Sequence, residues 1–132
     1  MILLDANVLI HYLKGNARVA AAIRSTERTE LALPSIVSYE LEYGTLRSGM
    51  QARRRRQLDL ALVSLQRVPF DTDAAVAAAR IRIGLEKRGL TIGALDLLIA
   101  GTAMSRGATL VTNNTDEFSR IEGLSFMDWT AE

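Results

Sequence analysis

A chain of 132 residues has room for one domain with a real core and too little for two ordinary ones, so residues 1–132 are expected to form a single domain. A hydrophobic content of 48% with 23% charged residues is that of a soluble globular protein, and a net charge of +1 does not by itself announce a nucleic-acid binder. The lack of cysteine excludes disulfides, thiolate chemistry and Cys-type zinc, which fits a reducing cytoplasmic setting.

The apolar run Met1–Leu4 has no basic stretch before it and is broken by Asp5, so it reads as a buried strand and not as a signal peptide. Asn7 is expected to cap a helix that carries Val8, Leu9, Tyr12 and Leu13 as far as Gly15, and a second helix with Val19, Ala20 and Ile23 is expected to follow Asn16. Leu31-Ala32-Leu33-Pro34 reads as a short strand stopped by its proline. Ser35 is expected to cap a helix to about Arg47, followed by a helix over 52–66 with Leu58, Leu62 and Leu65 inward. Arg67 to Phe70 is brief and extended. Thr72 is expected to cap an alanine-rich helix that ends near Gly89, and a further helix runs from about Ala94 to Ser105 until Gly107 stops it. Thr109 to Thr112 is a β-branched strand, residues 114 to 121 a loop or short helix, and Leu124 to Phe126 a last edge strand. Strands alternating with helices predict a parallel sheet with helices on both faces. No apolar stretch approaches the roughly 20 residues that span a bilayer, so no membrane partner is expected.

Three carboxylates stand in apolar surroundings. Asp5 ends the first strand, Glu40 has Ile36, Val37, Tyr43 and Gly44 as helical neighbours, and Asp96 lies between Ile92 and Ile99. An isolated buried carboxylate costs several kcal/mol or shifts its pKa. No Lys, Arg or His stands at helical spacing to Glu40 or Asp96, and a hard cation is the simplest shared partner. Oxygen-only donors select Mg²⁺ or Mn²⁺ over zinc. In open α/β sheets ligands bind outside the carboxyl ends of strands, where Asp5, Glu40, Asp96 and the residues after Val111 would all arrive. Each acid also has a structural alternative: a cap for Asp5, a distant Arg partner for Glu40, service to the helix dipole for Asp96.

A fourth acid falls just past the last long strand. Asn114, Asp116 and Glu117 are the candidates, with Asp116 the first choice for both catalysis and metal binding. Asn7, Asn113 or Asn114 and Ser38 are candidates to orient the acids. Glu42 has mixed neighbours and is assigned to solvent. His11, the lone histidine, cannot by itself build a triad or a metal cluster and reads as a surface or boundary residue. Arg53 to Arg56 span a full helical turn, so they cannot all face one ligand; they read mainly as a solvated face, with phosphate contact open for one or two of them. Lys14 is a candidate phosphate contact near the crevice mouth.

Leu4-Asp5-Ala6-Asn7, Ser38 to Gly44, Ile92 to Ala100, Leu110 to Asn114, Glu117-Phe118 and finally Asp128-Trp129 together resemble the PIN-domain ribonucleases, and more closely the VapC toxins of bacterial toxin–antitoxin pairs. The likeness runs through the whole chain in the family's order. It implies a three-layer α/β/α sandwich with a mainly parallel central sheet, Mg²⁺-dependent endoribonuclease activity (Mn²⁺ as substitute) and a homodimer. It also implies a cognate VapB-type antitoxin, larger toxin–antitoxin assemblies and operator DNA reached only through the antitoxin. Asp5, Glu40 and Asp96 match the family's acids, while the fourth position departs from the pattern. The C-terminal half resembles the subgroup that cuts initiator tRNA in its anticodon loop.

A phosphatase of the strand-end Asp type needs an acid two residues on, where Asn7 stands, and a phospho-receiver needs a late Lys, whereas none follows Lys87. A non-catalytic RNA-binding PIN module would be indifferent to loss of Asp5.

Overall fold

The computed structural model describes residues 1–131. Its centre is a five-stranded sheet: β1 (Ile2–Leu4), β2 (Leu31–Pro34), β3 (Gln66–Val68), β4 (Thr109–Val111) and β5 (Ser125–Met127). The strand order is β3-β2-β1-β4-β5 and every pairing is parallel. Parallel strands are buried on both faces, which is why β1 and β2 read as unbroken apolar runs. Leu3, Leu4, Leu31, Ala32, Leu33, Leu110 and Val111 are all sealed from solvent.

Helices α1 (Ala6–Leu13) and α2 (Ala17–Ser25) join β1 to β2, and α3 (Ser35–Ser48) and α4 (Ala52–Val63) join β2 to β3. Helices α5 (Thr72–Lys87) and α6 (Ala94–Ser105) carry the chain back to β4, and the single turn α7 (Thr115–Phe118) precedes β5. The contacts of α1 with α2, α3 and α4, and of α5 with α6, form the outer layers of the sandwich. The chain moves one way from β1 through β2 to β3, then returns to place β4 on the other side of β1. That reversal opens a crevice at the carboxyl ends of β1 and β4.

Boundaries differ from expectation at three caps. Asp5, not Asn7, caps α1: its backbone is extended and its Oδ1 accepts from the Ala6 N–H. Asp71, not Thr72, caps α5 by accepting from the Ala74 N–H at 2.9 Å. Pro34 holds the cap position of α3 and Ser35 is already helical, its hydroxyl donating to the Val68 carbonyl. At α1 and α5 two capping types stand close together and the earlier, with extended backbone, takes the position; at α3 the extended Pro34 takes it with no side-chain cap. Helix α2 follows Asn16, whose side chain caps it by accepting from the Val19 N–H. Helix α4 stops at Val63 because Gln66 to Val68 pair with β2.

Candidate active site

β1 delivers Asp5 to the crevice at its carboxyl end. The side chain is only 5% exposed, and both oxygens are held. Oδ1 accepts from the Ala6 N–H at 2.8 Å and Oδ2 from the Thr112 hydroxyl at 2.7 Å. Thr112, directly after β4, in turn accepts from the Asn114 N–H at 3.0 Å. One hydroxyl thus ties the ends of the two central strands together across the switch point. Burial raises the Asp5 pKa above the ordinary carboxylate range, partly offset by these two donors.

Glu40 is placed by α3, a little over one turn in. Its Oε1 is buried and has no hydrogen-bond partner among the described residues. Burial, then the negative charge of Asp5, raises its pKa. A buried acceptor without a donor costs about 1–3 kcal/mol, more when charged, and calls for an explanation.

Asp96 lies in the first turn of α6, where the helix dipole favours an acid. Asn114 donates to Asp96 Oδ2 at 2.9 Å and to Glu117 Oε2 at 2.7 Å through its side-chain amide. Glu117 Oε1 accepts from the Gly93 N–H at 3.0 Å. Burial pushes the Asp96 pKa up to about 7; a hydrogen bond to Glu117 and the charges of Asp5, Glu117 and Glu40 add to it. Glu117 is held below its usual range by the hydrogen bond from Asp96, the Asn114 amide, the Gly93 N–H and the charge of Arg120.

Asp5, Glu40, Asp96 and Glu117 therefore form one electrostatic cluster drawn from four elements. Asp116 does not join it. That residue is exposed, and on the one-turn α7 it points about 100° from Glu117, which shares the face of Asn114 three positions earlier. The three-residue spacing from Asn114 is the sequence signal that points to Glu117 over Asp116. Gly93 was not among the expected site residues, and Thr112 was expected only as one of the residues that leave β4 at the crevice. A Cβ on Gly93 would make only ordinary van der Waals contact with Asp96 Oδ2, at 3.6 Å, so what Gly93 gives the site is its N–H.

Other candidates lie elsewhere. Asn113 pairs with His11 (Nδ2 to Nε2, 3.2 Å), which is a half-buried boundary residue. Asn7 is exposed, and Ser38 lines the α3–α4 groove with Glu42 and Arg55. Glu42 is exposed but not simply solvated, since Arg55 pairs with it at 2.7 Å and with Asp59 at 3.1 Å. That structural use separates Arg55 from its exposed neighbours Arg53, Arg54 and Arg56. Lys14 caps the far end of α1 from Asp5, so it is not at the crevice mouth.

Among the described residues, no three His, Asp or Glu side chains form a finished cage for a bare ion. The donor set still fits a hydrated one. Mg²⁺ keeps several of its waters and takes one or two carboxylates directly. Oxygen-only donors, four like charges with raised or mutually dependent pKa values and an orphaned buried oxygen are what such an ion would satisfy.

The PIN-domain profile matches residues 2–124. The chain belongs to the PIN-domain family. Within that family it is 40% identical over 99 residues to Ribonuclease VapC2 of Rickettsia felis, covering 75% of this chain and 74% of that one. It is 32% identical over 128 residues to the tRNA(fMet)-specific endonuclease VapC of Shigella flexneri, covering 97% of each. The crystal structure of VapBC2 from Rickettsia felis bound to a DNA fragment from their promoter contains a chain with the same fold. Its TM-score is 0.90 at 34% identity, with 98% of this chain and 99% of that one aligned. The PIN fold so assigned has the three layers that the sequence implied, and its sheet is wholly parallel.

Proposed function

We infer that the protein is a divalent-metal-dependent endoribonuclease, the toxin of a toxin–antitoxin pair, built as a single PIN domain. One observation carries the reading: the buried, donorless Oε1 of Glu40 sits in a four-carboxylate cluster at the switch point of the sheet. Asp5, Glu40, Asp96 and Glu117 are the residues to hold Mg²⁺, or Mn²⁺ in its place. When bound, such an ion neutralises charge growing on phosphoryl oxygens and makes an attacking water easier to deprotonate.

The protein's part is orientation and proton handling. Thr112 and the Ala6 N–H fix both oxygens of Asp5, and Asn114 fixes Asp96 against Glu117. Glu40, with one oxygen free of donors, has the capacity to hold a water or take its proton. These fixed groups let an RNA phosphate be attacked with little reorganisation.

The Shigella relative is named for tRNA(fMet), which supports initiator tRNA, cut in its single-stranded anticodon loop, as the substrate here. Single-stranded loops are where RNA exposes base edges for sequence-specific reading. The promoter-bound VapBC relative supports a VapB-type antitoxin and operator DNA reached through it; a homodimeric toxin is what the family likeness implies. No helix among the described residues is long and apolar enough to cross a membrane, and we place the activity in the cytoplasm. The test is expression of the wild type and Asp96→Asn in bacterial cells with RNA ends mapped. Growth arrest with defined cuts is expected for the wild type only. Identical cuts from both proteins would remove the acid cluster from the mechanism.

A further inference from the structure

The connection from α5 to α6 has little regular structure to fix it. Gly89, in the left-handed region at φ 69°, stands just past α5, and Leu90 and Ile92 pack against the core. Among the described residues neither Thr91 nor Ile92 makes a backbone–backbone hydrogen bond. Gly93 then holds the cap position of α6 with no side chain to fill it. Yet this connection brings the Gly93 N–H to Glu117 and sets where Asp96, in the first turn of α6, begins.

Two arginines supply the missing ties. The Arg120 guanidinium donates to the Thr91 carbonyl at 2.7 Å, and the Arg88 guanidinium donates to the Arg120 carbonyl at 2.7 Å. These bonds run in opposite directions between the connection and the turn after α7, so together they form a clasp. Arg120 stands on a firm base. Phe118 and Ile121 near it are buried, and the Arg120 N–H donates to the Glu117 carbonyl at 3.1 Å. Its half-buried side chain is close enough for its charge to act on Glu117. Arg88 also pairs with Glu122 at 3.8 Å.

We propose that Arg120, locked by Arg88, is a positioning residue that clasps the α5–α6 connection to the turn after α7 and so keeps Asp96 and Glu117 side by side for the ion. The proposal rests on the metal-dependent nuclease reading. A guanidinium suits the task because its planar fork bonds a carbonyl while its charge faces a carboxylate. Its engagement with Thr91 favours positioning over direct contact with an RNA phosphate.

The test uses the full-length protein and three readouts. Mn²⁺ binding is followed by loss of the free ion's paramagnetic resonance signal. Cleavage of bulk tRNA at a fixed, sub-saturating Mg²⁺ concentration separates KM from kcat. Hydrogen exchange of the Gly93 amide in EDTA reports the clasp without ion or substrate. Arg120→Met is expected to weaken Mn²⁺ binding and to lower kcat, each about 10-fold, the low end of the about 10- to 100-fold typical of residues that support metal ligands. It should leave KM for RNA nearly unchanged and speed Gly93 exchange several-fold. Arg120→Lys, which keeps a donor and a charge, should restore most of each readout. Arg88→Met should move them the same way by less. Arg106→Met removes the bond to Asp71 at the opposite end of α6; it should lower the unfolding midpoint and leave all three readouts alone.

Unchanged Mn²⁺ binding and Gly93 exchange in Arg120→Met overturn the proposal. A rise in KM alone also overturns it, since Arg120 would then be an RNA contact. Equal losses in Arg106→Met overturn it too, since the effect would be one of general stability. Should the wild type neither bind Mn²⁺ nor cut RNA, the nuclease reading fails; Gly93 exchange still decides the clasp, since faster exchange in Arg120→Met with rescue by lysine supports it and equal exchange sinks it.

Discussion

Thr112 shows how much of the site hangs on one atom. Its hydroxyl donates to Asp5 and accepts from the Asn114 N–H, so Thr112→Val removes a donor and an acceptor in a sealed position. Loss of about 1–3 kcal/mol in denaturant unfolding is expected, with Thr112→Ser close to wild type. Asp96 gives a pH signature. With an ordinary value of 3.8 and a folded value of about 7, the folded chain holds a proton that the unfolded chain has lost. Its contribution to ion-free stability therefore falls as pH rises from about 4 to about 7. Asp5 and Glu40, also raised, act in the same direction. Glu117, lowered, acts oppositely: its contribution is present above its ordinary 4.5 and is lost as pH falls below that value. Melting in EDTA should show stability declining toward neutral pH, with a shallower slope in Asp96→Asn. The rise in melting temperature on adding Mg²⁺ should be larger near about pH 8 than near about pH 5.5, because the ion competes with the proton. Asp5, Glu40 and Asp96 were legible as candidates because each interrupts an apolar pattern. Glu117 was less so, since choosing between adjacent acids depends on which way a one-turn helix faces.

Helices α5 and α6 pack unusually close, and Gly101 is the reason. A Cβ there would lie 2.7 Å from the Ala74 carbonyl oxygen and 2.7 Å from the Ala78 Cβ, closer than atoms pack. Gly101→Ala must push the helices apart. About 1–3 kcal/mol of destabilisation is expected, measured by denaturant unfolding. Shifting α6 also moves Asp96, so weaker ion binding should accompany the loss. The glycine is visible in the sequence, but its closeness to α5 is not, because nothing local to 94–105 records what packs against it. Strands and helices were readable from apolar runs and turn residues. Caps were off by one or two residues wherever two oxygen-bearing or turn-forming types stood together, as at Asp5 and Asn7, because propensity alone does not choose between them. The stop of α4 at Val63 was hidden for a different reason: Gln66 to Val68 is set by pairing with β2, a long-range contact.

Strand order turns scattered acids into a site for the molecule as a whole. The reversal between β1 and β4 brings Asp5 beside Thr112, and α3, α6 and α7 then bring their acids to the same edge. A net charge of +1 hides a local imbalance, with four acids gathered at the crevice and arginines such as Arg47, Arg53 and Arg56 exposed elsewhere. The central claim is that four carboxylates from distant parts of the chain jointly grip one or more divalent ions. Titration of the purified protein with Mn²⁺, followed by the loss of the free ion's paramagnetic resonance signal, tests it most directly. Saturable binding is expected for the wild type, unchanged in Asp116→Asn and at least about 10-fold weaker in Glu40→Gln and Glu117→Gln, a loss of about 1.4 kcal/mol or more. Wild-type protein that leaves the Mn²⁺ signal untouched, or binding that survives loss of Glu40 and Glu117 alike, would contradict the account.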